Sequence, residues 1–128
     1  MPPQRRTRLY FDGGCRPNPG PMEAALVLRG VTHLFDDLGH GSSSDAEWLA
    51  LIRGVELARN VGLNTIDLLG DALPVIREAS TALATSSAPH RHAAAFLAAA
   101  AGLGRVRIRW IRRTQNLAGI ALAARHAR

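Results

Sequence analysis

The stretch "LYFDGGCRPNPGP", residues 9–21, carries an apolar run into Asp12 and then breaks into glycines and prolines. Asp12 has two interpretations at this point. An Asp-Gly pair between apolar segments is a strong signal for the turn of a β-hairpin. A carboxylate at the end of a buried strand is instead typical of a metal ligand, and this stretch alone leaves both interpretations open.

Length and composition indicate one globular domain spanning residues 1–128, with 47% hydrophobic and 20% charged residues. The single cysteine, Cys15, excludes a disulfide framework and fits a reducing cytosol. The apolar stretch after the basic N-terminus is too short for a signal peptide, and the longest apolar run, residues 93–104, is too short for a membrane span. We therefore expect a cytoplasmic protein with no membrane segment.

The charges are distributed unevenly along the chain. All 16 basic residues are arginine, and all 10 acidic residues lie within residues 1–78, so that residues 79–128 carry no acid. This asymmetry favours a site for a metal and a polyanion, although a solvated basic face would have the same composition. Arg105, Arg107 and Arg109 alternate along one strand face. They form either a ridge for phosphates or the wet side of an edge strand, and the pattern slightly favours the latter.

Hydrophobic periodicity predicts an α/β domain with a five-stranded mixed sheet, an antiparallel hairpin plus parallel strands, flanked by helices. The hairpin turns at Gly30, and Gly62 ends the long helix. The segment 80–89 is expected to be a loop. The predicted strands are 7–12, 23–30, 32–39, 65–71 and 105–111, and the predicted helices are 42–62, 72–79, 90–102 and 116–127.

Three carboxylates are candidates for one site. Asp12 and Asp71 each end a predicted strand, and Glu47 lies in the first turn of the long helix. If the two strands are parallel neighbours, their carboxylates emerge at the same edge of the sheet, where α/β folds bind ligands. Each residue also has a structural alternative: Asp71 as the N-cap of the next helix, and Glu47 as the partner of Ser44 in a capping box.

Four blocks of the sequence span nearly the whole chain: "FDGGCRPNPGP", "SSSDAEWLALIRGVELA", "IDLLGDALPVI" and "RIRWIRRTQNLAGIALA". In their order and spacing they resemble the type 1 ribonucleases H. The resemblance implies a ribonuclease H-like fold in which Asp12, Glu47 and Asp71 are catalytic residues that bind Mg²⁺ or Mn²⁺, two ions in the family. It implies an endonuclease that hydrolyses the RNA strand of RNA–DNA hybrids, and it implies no particular protein partner.

The chain departs from the family at the fourth carboxylate. The last helix usually opens with an asparagine followed four residues later by aspartate, and that position here is Ile120. The resemblance therefore implies one firmly bound ion and weakened cleavage, unless Asn116, Gln115 or water supplies the missing oxygen. The alternative function is a catalytically inactive module that binds RNA–DNA hybrid or another nucleic acid.

The resemblance also assigns substrate contacts, although the basic handle of longer family members is absent. Glycine leaves room for the backbone of residues 13–15 to approach RNA 2′-hydroxyls, the groups that distinguish RNA from DNA. We interpret His90 and His92 as a solvated helix start rather than a metal pair. The expected substrate-binding residues are Gly13, Gly14, Cys15, Asn18, Ser42, Ser43 and Ser44.

Overall fold

The computed structural model describes residues 6–126, which form a six-stranded mixed sheet with helices on both faces. The predicted five strands and four helices are all present, and the sixth strand has only two residues. The basic segment at residues 1–5 lies outside the described residues, as does residue 127 of the predicted last helix. The elements are β1 (Thr7–Cys15), β2 (Gly20–Leu28), β3 (Val31–Phe35), β4 (His40–Gly41), α1 (Ser43–Asn60), β5 (Thr65–Gly70), α2 (Leu73–Thr85), α3 (Arg91–Ala100), β6 (Arg105–Trp110) and α4 (Leu117–Ala124).

The sheet has the strand order β3-β2-β1-β5-β6, and β4 pairs with β2. The first three strands form an antiparallel meander, whereas β5 and β6 join β1 in parallel after helical crossovers. The β2–β3 turn occurs at the predicted place because Arg29 and Gly30 adopt φ of 52° and 80°. Positive φ at both central residues is the requirement of a type I′ hairpin turn.

The two faces of the sheet have different helical cover. The larger core lies between the sheet and helices α1, α2 and α3, and its fully buried side chains include Leu9, Phe11 and Phe96. On the opposite face α4 packs across β1 and β2, where Leu122 joins Val27 in a smaller cluster. None of the helices within residues 6–126 is both long enough and apolar enough to cross a membrane.

Several predicted boundaries were wrong. Strand β3 ends at Phe35 rather than at residue 39, and β2 begins at Gly20 rather than at residue 23. Strand β1 does not end at Asp12 but continues to Cys15, because β2 keeps pairing with it after the parallel pairing with β5 ends at Tyr10. Helix α2 continues through the predicted loop to Thr85, since Ala82 extends its buried face beyond the expected end. The proline in its first turn costs no hydrogen bond, as expected.

Candidate active site

Asp12, Glu47 and Asp71 converge at one edge of the sheet. One carboxylate oxygen from each residue lies within 4.8 Å of the others. Asp12 lies within β1, Glu47 lies in α1, and Asp71 follows directly after β5. The structure therefore brings together the three carboxylates selected from the sequence, although Asp12 is held by a continuing strand rather than by a strand end.

Glycine at position 13 allows α1 to approach the site. A Cβ atom built on Gly13 would overlap the carbonyl group of Ala46 at the start of α1. The close contact lets the Gly13 N–H donate to Oε1 of Glu47 over 3.2 Å. Gly13 was expected to make room for RNA, but the space beside it is filled by α1, so its immediate effect is to place Glu47 beside Asp12.

Neither Glu47 nor Asp71 takes part in helix capping, so both carboxylates stay available at the site. The capping box of α1 joins Ser42 and Asp45: the Asp45 N–H donates to the Ser42 hydroxyl over 3.1 Å, and the Ser42 N–H donates to the Asp45 carboxylate over 2.9 Å. The predicted pairing of Ser44 with Glu47 is therefore wrong. Asp71 does not cap α2 either, because the N-cap residue is Ala72 and it makes no side-chain cap bond.

Asn116 fixes the position of Asp71 from the other side. Its buried amide nitrogen donates to Oδ2 of Asp71 over 2.8 Å and to the Phe11 carbonyl over 3.0 Å. Its side-chain oxygen accepts the Ala118 N–H at the start of α4. With the oxygen engaged in this cap and the nitrogen turned to Asp71, Asn116 does not offer an oxygen ligand to an ion.

Sequence reasoning missed two residues beside Asp71 and Asp12. The indole N–H of Trp110 donates to the main-chain carbonyl of Asp71 over 3.1 Å, although the ring is half exposed. Arg113 lines the cleft, and its positive charge acts to lower the pKa of Asp12. The strand pattern and the run of arginines indicated neither contact, because both depend on how residues 110–116 turn from β6 into α4.

Crowding and burial make the carboxylates costly to ionise. Burial, together with the charge of the neighbouring Asp12, raises the pKa of Glu47 to about 10. Burial also raises the pKa of Asp12 to about 6, with a contribution from the charge of Asp71. Within residues 6–126, the buried Oε2 of Glu47 has no hydrogen-bond partner. An unpartnered oxygen among three carboxylates suits a hard divalent cation, which prefers oxygen ligands.

Only part of the expected substrate-binding set lines the cleft. Gly14, Cys15 and Ser43 line it beside the carboxylates. The side chain of Asn18 accepts the Ser43 N–H over 3.1 Å and the Cys15 thiol over 3.4 Å, which ties the β1–β2 loop to α1. Ser42 is occupied as the helix cap, whereas Ser44 is exposed.

Helix α4 presents Gly119, not Ile120, to the carboxylates. A Cβ atom on Gly119 would lie 3.5 Å from Oδ2 of Asp12 and 3.6 Å from Oδ2 of Asp71. The Ile120 side chain is 53% exposed and is not among the residues that line the cleft. Neither position supplies a side-chain oxygen ligand. A fourth carboxylate that lines the cleft, Glu23 of β2, is already paired with Arg125 and His126 at the end of α4.

The two histidines at the start of α3, the N-cap His90 and His92 in the first turn, are not simply solvated. His92 pairs with Asp45 over 2.8 Å and stacks on Trp48, and only 15% of its side chain is exposed. His90 caps α3 by accepting the Ala93 N–H, and it pairs with Glu78 over 2.9 Å. Both histidines therefore join α3 to a neighbouring helix, so the expected solvated helix start is wrong for His92.

A family model described as reverse transcriptase-like matches residues 10–126. The chain belongs to this family. Ribonuclease HI of Halobacterium salinarum is 35% identical over 86 residues, a match that covers 63% of this chain and 43% of that protein. The chain thus spans less than half the length of this curated relative.

Solved structures place the chain among ribonuclease HI-like proteins. The crystal structure of RNase H1 from the halophilic archaeon Halobacterium salinarum has a TM-score of 0.78 and 27% identity, covering 96% of this chain and all of that one. LC11-RNase H1 in complex with RNA/DNA hybrid has a TM-score of 0.69 and 23% identity, covering 88% and 89% of the two chains. These relatives confirm the family resemblance and the ribonuclease H-like mixed α/β fold inferred from the four sequence blocks.

Proposed function

We propose that the protein is a metal-dependent endonuclease that hydrolyses the RNA strand of RNA–DNA hybrids. The observation that carries the proposal is the convergence of Asp12, Glu47 and Asp71 within 4.8 Å, together with an unpartnered buried oxygen on Glu47. The similarity to ribonuclease HI of Halobacterium salinarum and to a relative solved with RNA/DNA hybrid supports the choice of reaction and substrate.

The three carboxylates would hold Mg²⁺, or Mn²⁺ in its place. When bound, such ions activate water and stabilise the leaving oxygen in phosphodiester hydrolysis. The chain's own contribution is to hold the ligands still before binding. The Gly13 N–H orients Glu47, and the Asn116 amide orients Asp71. The charge of Arg113 lies close enough to Asp12 to favour its ionised form.

The α4 side of the site limits catalysis. The resemblance assigns the missing fourth carboxylate to Ile120, but the position that faces Asp12 and Asp71 is Gly119. We infer that one ion is bound firmly and a second only weakly, so that cleavage is slow. The same missing ligand favours a second candidate function, an inactive module that binds hybrid without cutting it.

Substrate recognition would involve the cleft mouth. Gly14 and Cys15 line the cleft, and their main chain would contact the substrate together with the hydroxyls of Ser43 and Ser44, which can donate to phosphates and 2′-hydroxyls. Asn18 uses its oxygen within the protein, which leaves its amide nitrogen to donate to a nucleic-acid strand. Location in the cytoplasm stays a prediction from the sequence.

A cleavage assay tests the proposal. RNA labelled at one end is annealed to DNA and incubated with the protein in Mg²⁺, in Mn²⁺ and in EDTA. We expect slow, metal-dependent cleavage of the RNA strand, and none by Asp71→Asn. Asp37→Asn is the matched control, because Asp37 is an exposed carboxylate outside the cleft. Metal-independent hybrid binding without cleavage in either metal would favour the inactive module, and cleavage by Asp71→Asn at the control rate would refute the assignment.

A further inference from the structure

The edge strand β6 carries a column of exposed arginines. Arg105, Arg107 and Arg109 all point to the same side of the sheet and are exposed to solvent. The alternate residues Val106 and Ile108 pack against the main core on the other side. The arginines therefore lie on the face of the sheet opposite to helices α1, α2 and α3.

The neighbouring strands extend this basic surface. The parallel register aligns Arg8 of β1, Asp67 of β5 and Arg107 of β6 in one row across the sheet. Asp67 is buried and forms an ion pair with Arg6 over 3.0 Å, so its charge is already neutralised. We call Arg8, Arg105, Arg107 and Arg109 the arginine face. Among residues 6–126, none of its members takes part in an ion pair.

The arginine face leads to the carboxylate site. Arg109 is aligned with Leu69, and Asp71 follows two residues later, so that its Cα lies about 8 Å from that of Arg109 by strand geometry. Successive arginines of the column are about 7 Å apart by the rise of a strand. This interval is close to the separation of adjacent phosphates along an extended nucleic-acid strand.

We propose that the arginine face binds the phosphate backbone of a nucleic-acid strand that extends out of the cleft past Asp71. Arginine donates two parallel hydrogen bonds to phosphate, and unpaired exposed guanidinium groups keep these donors available. Protection of an edge strand requires charge, but it does not require a column of like charges that ends beside the carboxylates. The identification of that strand as part of an RNA–DNA hybrid rests on the proposed function.

Binding in EDTA tests the proposal without cleavage. The variant carries Arg105→Gln, Arg107→Gln and Arg109→Gln, and fluorescence anisotropy measures its affinity for a hybrid of about 24 base pairs, about 80 Å long at 3.4 Å per step. We expect affinity at low salt to fall at least about fivefold. The slope of log K against log salt should become shallower by about 2 to 3, since each phosphate contact contributes about 0.7 to 0.9. A hybrid of about 6 base pairs, about 20 Å long, should lose much less affinity.

The matched control removes three arginines from the helical side of the sheet. Arg53→Gln, Arg59→Gln and Arg77→Gln change the net charge equally, and all three side chains are exposed on α1 and α2. Equal losses of affinity and slope in the two triple variants would overturn the proposal. Equal thermal stability of the two variants excludes unfolding as the cause of a loss.

The inference and the proposed function fail separately. If the wild-type protein cleaves hybrid while the arginine-face variant binds the long hybrid normally, the inference is refuted and the proposed function stands. If no hybrid is cleaved but single-stranded DNA binds through the arginine face, the proposed function is refuted and the inference is supported.

Discussion

Replacing Glu47 with glutamine should stabilise the metal-free protein, and by more at pH 8 than at pH 6. Burial raises the pKa of Glu47 from an ordinary 4.5 to about 10. Between these values the folded state holds a proton that the unfolded chain has released. Because the folded state binds more protons, the free energy of unfolding falls as pH rises through this interval.

The size of this pH effect follows from the one proton that the folded state binds and the unfolded state does not. A difference of one bound proton changes stability by about 1.4 kcal/mol per pH unit, or about 3 kcal/mol between pH 6 and pH 8. Glutamine does not titrate, yet its side-chain oxygen still accepts the Gly13 N–H. Asp12, whose pKa is raised to about 6, also titrates near this range, but it is common to both proteins. The difference between wild type and Glu47→Gln therefore isolates the carboxylate.

Urea denaturation in EDTA at pH 6, 7 and 8 measures this difference, and a second series with Mg²⁺ measures the effect of the metal. We expect Mg²⁺ to stabilise the wild type most at pH 8, because the cation favours ionised carboxylates, and to stabilise Glu47→Gln much less. Stability curves for the two metal-free proteins that run parallel from pH 6 to pH 8 would refute the electrostatic argument. Equal stabilisation of both proteins by Mg²⁺ would refute the assignment of Glu47 as a ligand.

Three further substitutions test how the site is built. Gly119→Asp should raise the rate of hybrid cleavage in Mg²⁺ at least about tenfold, because position 119 faces Asp12 and Asp71. This gain is equivalent to about 1.4 kcal/mol of activation free energy. The control Ile120→Asp should leave the rate unchanged, because that side chain faces solvent. Gly13→Ala should cost more than about 2 kcal/mol in urea denaturation, because its Cβ would overlap the backbone of α1; in Gly14→Ala the nearest contact is an ordinary 3.8 Å, so that control should cost less. Asn116→Ala should cost about 2 to 4 kcal/mol in the same measurement, because it leaves the Phe11 carbonyl and the Ala118 N–H without this buried partner.

The order of elements was predictable because hydrophobic periodicity and glycine turns are local signals. The apolar run ending at Asp71 and the turn at Gly30 needed only the sequence around them. The extent of β1 was not predictable in this way. After Tyr10 the strand is held only by antiparallel pairing with β2, a contact between residues distant in the chain, and its Gly-Gly pair is typical of a turn.

For the candidate site, too, the sequence predicted the residue types but not the orientation of their side chains. The spacing of the motifs identified three carboxylates that the fold brings together, but a motif does not give the rotation of a helix about its axis. On α4, one residue corresponds to about 100° of rotation, which separates Gly119, facing Asp12, from the exposed Ile120. The capping box shows a second limit. Ser42 with Asp45 and Ser44 with Glu47 have the same spacing, so the sequence alone does not decide which pair caps α1.

The contacts around the site explain how three carboxylates that repel one another remain close together. Their mutual repulsion and burial favour separation, as the raised pKa values of Asp12 and Glu47 indicate. The Gly13 contact fixes the start of α1, and Asn116 ties Asp71 to β1. These neutral interactions hold the ligands in place, while the raised pKa keeps Glu47 protonated near neutral pH. A divalent cation would replace that proton and offset the repulsion among the ionised carboxylates. Metal binding should therefore stabilise the fold as well as support chemistry, and loss of metal should weaken the region around Glu47 before it weakens the core.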